Sequence, residues 1–175
     1  MANQAAERGK RFRVFRVFRI VFFAVLAAGL AFGVRTETGP QLYLFIRDWK
    51  TGETYASSPA KIGSALFFGW LHSLEKIPWN EYYHIDEINE KLAIVLDAIT
   101  FPAFGAGIPE NKGRVCYVDE NGLIHMEEID QKFEELVWLN SHTATREIML
   151  DGKFVARGDS LPQHTRLRLT VEKGK

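Results

Sequence analysis

The chain has one cysteine, Cys116, among its 175 residues. An intramolecular disulfide is therefore impossible, and a zinc site built on cysteine has too few ligands. The expected place of such a lone thiol is that of a small buried apolar side chain. The five histidines, His72, His84, His125, His142 and His164, show no His-x-His or His-x-x-x-His spacing. A zinc site would have to assemble across strands, and neither metal nor cofactor is expected. No Gly-x-Ser-x-Gly elbow, Walker loop or dinucleotide fingerprint is present, which removes the commonest hydrolase and nucleotide-binding signatures. Net charge is also missing, with 22 basic and 22 acidic residues.

That balance conceals a split. Residues 1–35 hold seven Lys or Arg and one acidic residue, about +6, so residues 36–175 carry the compensating −6. An acidic body argues against nucleic acid, whose phosphates need clustered Lys and Arg. The basic cluster, Lys10 to Arg19, adjoins an uncharged run over 20–34. Fifteen residues are short of the roughly twenty of a full span, and snorkelling of Arg19 and Arg35 extends them. The run reads as a retained anchor, with a cleaved signal peptide as the alternative. Either way the start stays inside and the remainder lies on the extracytoplasmic side of a bacterial cytoplasmic membrane. The expected organisation is a basic cytoplasmic segment 1–19, an anchor or signal 20–34, a linker 35–40 and a domain 41–175.

The domain reads as all-β, a small barrel or sandwich of about eight to ten antiparallel strands, preceded by the one N-terminal membrane helix. Gln41–Asp48 alternates apolar and polar residues; Glu53–Tyr55 returns after Thr51-Gly52, and Ser57-Ser58-Pro59 is expected to break it. Leu92–Thr100 is apolar enough for a central strand, with a short helix as the rival. Asn121-Gly122 and Asp151-Gly152 mark two hairpins. Glu127–Glu135 is acidic and polar, and the four-residue spacing of Ile129 and Phe133 allows one or two helical turns. Glu135–Asn140 and Arg166–Val171 read as strands.

The richest stretch is 70–85, with Trp70, His72, Trp79, Glu81, Tyr82, Tyr83 and His84. It reads as a hairpin. A two-residue connection at Lys76-Ile77 places His72 opposite Glu81, Trp70 opposite Tyr83 and Leu74 opposite Trp79. One face then carries Phe68, Trp70, His72 and Leu74 against Trp79, Glu81, Tyr83 and Ile85. A His72–Glu81 couple has two readings, an orienter and base awaiting a nucleophile or a half-buried histidine satisfied by a carboxylate. Ser73 points to the opposite strand face and cannot serve as that nucleophile. The aromatic residues are suited to stacking on a ligand or to filling a core. A second distinctive stretch, Phe101-Pro102-Ala103-Phe104-Gly105-Ala106-Gly107-Ile108-Pro109, reads as a tight corner or a partner-facing loop.

His72-Ser73, Pro78, Glu81, the Phe104-Gly105-Ala106-Gly107-Ile108-Pro109 run and the late Asp-Gly hairpin together resemble the bacterial family catalogued as domain of unknown function 1850, from about Gln41 to the C-terminus. The resemblance implies a small, often N-terminally anchored protein found alongside tripartite TRAP transporters of the TAXI type. It implies no catalytic residues. The expected function is a non-enzymatic accessory or binding module of such a transporter, with its membrane subunit or solute-binding protein as partner. The binding candidates are His72, Ser73, Pro78, Trp79, Glu81, Tyr83, Phe104, Gly105, Gly107 and Pro109. The alternatives are a purely structural membrane-anchored interaction protein and a hydrolase using His72 and Glu81.

Overall fold

The computed structural model describes residues 41–72, 74–104 and 113–174. The N-terminal segment, anchor and linker expected over 1–40, together with Ser73, Gly105, Gly107 and Pro109, lie outside the described residues. Among the described residues no helix is long and apolar enough to cross a membrane.

Twelve strands are described: β1 Leu42–Asp48, β2 Thr54–Ala60, β3 Ala65–Leu71, β4 Pro78–Ile88, β5 Lys91–Phe101, β6 Val115–Val118, β7 Ile124–Glu127, β8 Gln131–Phe133, β9 Leu136–Leu139, β10 Thr145–Leu150, β11 Lys153–Arg157 and β12 Arg166–Lys173. One 3-10 turn, Gly158–Ser160, follows β11. The strands form a four-stranded sheet, β2-β1-β12-β9, and an eight-stranded sheet, β11-β10-β3-β4-β5-β7-β6, with β8 beside β5. All described pairings are antiparallel, and neither sheet closes on itself, so a sandwich and not a barrel is formed.

Alternation builds the interior. Leu42, Leu44 and Ile46 of β1 and Leu167, Leu169 and Val171 of β12 are buried at every second position. They join one apolar cluster with Leu66 and Phe68 of β3, Ile85 of β4 and Ile148 and Leu150 of β10. The Phe68 and Trp138 rings meet edge-on at 5.2 Å, which locks β9 over β3. β5 is buried on both faces from Ala93 to Leu96, the central strand that its unbroken apolar run predicts.

Several expectations are corrected. β2 continues through Ser57-Ser58-Pro59. It is an edge strand, where a residue without an N–H costs no ladder bond. The acidic segment forms no helical turn. Glu128 and Asp130 adopt left-handed φ of 54° and 52°, which interrupt any helix, and β8 then pairs with β5. The twelve described strands exceed the expected eight to ten. Cys116 is exposed, not buried, because β6 is the outer strand of the larger sheet.

The hairpin register also differs. Leu71 faces Pro78, Trp70 faces Trp79, Phe68 faces Glu81 and Leu66 faces Tyr83. A two-residue turn at Lys76-Ile77 would need Pro78 to donate an N–H to Glu75, and proline has none. The connection instead runs over 72–77, held by His72 N–H to Ile77 O and Lys76 N–H to His72 O, both 2.9 Å. Glu81 thereby moves four residues along its partner strand. Four is even, so every side chain keeps its face although no expected pair forms.

Candidate functional site

Trp79, Glu81 and Tyr83 stand at alternate positions of β4 and therefore point the same way, toward the smaller sheet. The Trp79 indole N–H donates to Glu81 Oε1 at 3.1 Å, and the Tyr83 hydroxyl donates to Oε2 at 2.7 Å. Two aromatic donors thus hold one carboxylate, one on each oxygen. Trp79 and Tyr83 are both only 5% exposed. Burial, then the neighbouring Glu81 charge and hydrogen bond, pushes the Tyr83 phenol far above its ordinary value of 10.0.

That shift has a sign. A phenol whose folded pKa is raised contributes stability that is present below pH 10 and is lost as pH rises above it. Wild-type stability should therefore fall from pH 10 upward more steeply than that of Tyr83→Phe, measured by denaturant titration at successive pH values. Parallel curves for the two proteins would contradict the protonated Tyr83–Glu81 bond.

Beside this carboxylate a cleft of about 460 Å³ opens between the sheets. Phe68, Trp70 and Tyr83 line it from β3 and β4, Phe133 from β8, and Leu136 and Trp138 from β9. Glu81 and Glu135 also line it, and none of the lining residues is basic. The surface is chiefly apolar and aromatic with fixed negative charge, the make-up of a binding site for a group that is apolar along its length and cationic or hydrogen-bond-donating at one point. The cleft is continuous with a string of rings. Trp79 stacks on Phe101 at 4.7 Å and 8°, Phe104 meets Phe101 edge-on at 5.4 Å, and Trp70 lies 5.6 Å from Trp79.

Of the candidates taken from sequence, Trp79, Glu81 and Tyr83 come together. Phe104 sits at the outer end of the ring string, 54% exposed, and Pro78 opens β4. His72 does not join Glu81. It lies past the end of β3 with its ring 5.8 Å from Trp70 and 6.0 Å from Trp79, and its Nδ1 accepts the Glu75 N–H at 3.4 Å. The pair required by a hydrolase reading is therefore not formed: the strand neighbours of Glu81 are Phe68 and Ile99.

Close imidazole–carboxylate pairs do occur elsewhere. His84 Nδ1 lies 2.8 and 2.9 Å from the two Asp97 oxygens, on the other face of β4, and His125 Nε2 lies 3.1 Å from Asp119. Asp97 is the bulged residue opposite Tyr82 and Tyr83. Its sequence signal was the single charge within the apolar run of β5. Among the described residues no imidazole bonds a serine, threonine or cysteine side chain, and no three His, Cys, Asp or Glu side chains gather as a metal ion would need. The cleft residues that sequence reasoning missed, Phe68's partner Trp138 along with Phe133 and Glu135, come from β9, β8 and the link between them, remote in the chain from β4.

A family model, described as domain of unknown function DUF1850, matches residues 67–156, just over half of the chain. The chain belongs to the DUF1850 family. The DUF1850 match runs from within β3 to within β11, a narrower stretch than the resemblance from Gln41 onward suggested, and leaves β1, β2 and β12 outside it. It contains β4, β5 and β9, with the carboxylate and the residues that line the cleft. No curated protein and no solved structure matches the chain.

Proposed function

We propose that this DUF1850 protein is a membrane-anchored accessory or binding module of a solute transporter of the TRAP type, TAXI class, with its β-sandwich on the extracytoplasmic side. The observation that carries the binding role is the aromatic cleft with the Glu81 carboxylate held by Trp79 and Tyr83. Such a surface is suited to recognition. The charge division between residues 1–35 and the rest, and the uncharged run 20–34, support an anchored topology with the start inside. A tether of that kind raises the effective concentration of the sandwich at a membrane partner without any further contact.

The full chain, solubilised from its own membranes in mild detergent, should co-purify with a transporter membrane subunit or solute-binding protein. Glu81→Gln should reduce recovery at least tenfold while the protein stays folded. Recovery unaffected by Glu81→Gln would show that the cleft is not the contact. Turnover of an ester or peptide panel by the pure chain, with no membrane partner found after mild cross-linking, would replace the accessory reading with an enzymatic one.

A further inference from the structure

β9 is the last strand of the smaller sheet, paired on one side only with β12 through Leu136↔Leu169, Val137↔Arg168, Trp138↔Leu167 and Leu139↔Arg166. The Asn140 N–H donates to Thr165 O at 2.8 Å, so Asn140 addresses the β12 side. Backbone direction alternates along an antiparallel strand, so Trp138 and Leu136 also address β12. The N–H and C=O groups of Val137 and Leu139 consequently point to the open side, where no strand pairs with them among the described residues.

Exposed edges are usually blunted by proline, charge or a bulge. β2, the opposite edge of the same sheet, carries Pro59 and a register shift. β11, an edge of the larger sheet, carries Lys153, Arg157 and a register shift. β9 reads Leu-Val-Trp-Leu with regular pairing, and Val137 and Leu139 are 39% and 66% exposed. The cleft runs along this strand, lined by each residue from Glu135 to Leu139. A second observation lies on the same strand: the Trp138 indole N–H is buried without an acceptor among the described residues. A buried donor left this way costs free energy.

We infer that β9 is a strand-addition site for an extended segment of a partner protein, apolar at alternate positions and carrying one lysine or arginine on the face turned into the cleft. The main chain of the segment pairs with Val137 and Leu139, its apolar side chains cover Phe68, Phe133 and Trp138, and its cation approaches Glu81 and Glu135. Charge complementarity selects the cation chiefly at Glu81: no basic residue lines the cleft, whereas Glu135 already has Arg168 Nη1 at 4.0 Å. Main-chain pairing supplies affinity and alternate side chains supply selection, as in other cases of strand addition. The inference deepens the binding role proposed above and names its occupant.

The test uses the full chain in mild detergent and three labelled heptapeptides, Thr-Val-Thr-Xaa-Thr-Val-Thr, in which the central residue is lysine, threonine or glutamate. The lysine peptide should bind in fluorescence anisotropy at least tenfold more tightly than the glutamate peptide. Its binding should slow amide hydrogen exchange at Val137 and Leu139 at least tenfold. Val137→Pro removes one outward N–H without touching the β12 ladder and should weaken binding at least tenfold. The exchange measurement on unmodified protein stands if that variant fails to fold. Binding with unchanged exchange at Val137 and Leu139 would overturn strand addition and leave the cleft as a site for another occupant. No binding by any of the three peptides would overturn strand addition outright. Co-purification with a transporter subunit, measured separately, decides the accessory role whichever way the peptides behave.

Discussion

Replacing Trp79 with alanine should destabilise the domain by about 3–5 kcal/mol, the range for removing a large buried aromatic side chain. The ring is 5% exposed and stacks face to face on Phe101, which is itself 1% exposed. Its loss empties volume between β3, β4 and β5 and removes the N–H that holds Glu81 Oε1. Trp79→Phe separates the two effects. Most of the stacking area remains, so the stability loss should be smaller, while the carboxylate loses the indole N–H and keeps the Tyr83 hydroxyl. Guanidinium unfolding followed by far-ultraviolet circular dichroism reads both variants. A loss under about 1 kcal/mol for Trp79→Ala would mean that the ring is not part of the core.

The second large effect is expected at Asn140, just past the end of β9. The residue is fully buried. Its Nδ2 donates to Gly158 O at 2.9 Å and Pro162 O at 3.0 Å, with Leu161 O at 3.3 Å. These three carbonyls belong to the irregular link between β11 and β12, which has no ladder partners of its own. Asn140→Ala removes all three bonds; Gly158 O keeps the Leu161 N–H at 3.3 Å and Leu161 O keeps His142 Nε2 at 2.9 Å, so chiefly Pro162 O loses its donor, and the expected cost is about 1–3 kcal/mol. Asn140→Asp should be at least as damaging, because an ionised carboxylate would turn acceptors toward carbonyl oxygens. The link has little room to adjust: a Cβ on Gly158 would lie 2.3 Å from Thr145 O. Thermal unfolding of both variants within a few degrees of wild type would show that the link is held by something else.

Much of the strand pattern is legible locally. β1 and β12 follow the strict alternation of Leu42-Leu44-Ile46 and Leu167-Leu169-Val171, and the corresponding side chains are buried. Asp151 and Gly152 take φ of 50° and 72°, the mirror-image turn that an Asp-Gly pair between alternating runs implies. Asn89 and Glu90 make a similar turn at φ of 51° and 65°, with a weaker sequence signal since neither is glycine. The candidate site was legible in its face but not in its pairs. Trp79, Glu81 and Tyr83 share a side because side chains alternate with period two, whatever the register. His72 was misassigned to Glu81 because the turn length was taken from spacing, whereas the missing N–H of Pro78 forbids that turn.

By itself the sequence determined an all-β domain, the positions of most strands and two of its turns, and the common face of Trp79, Glu81 and Tyr83. These depend on dihedral preferences and alternation acting within a few residues. Tertiary structure alone decided that β9 lies over β3, that Trp138 meets Phe68, and that a cleft opens beside Glu81. Phe68 and Trp138 are separated by seventy residues of chain. Their contact depends on how two sheets, each satisfying its own hydrogen bonds, bury their apolar faces against one another. That burial energy is a property of the whole assembly of strands and is written into no local pattern.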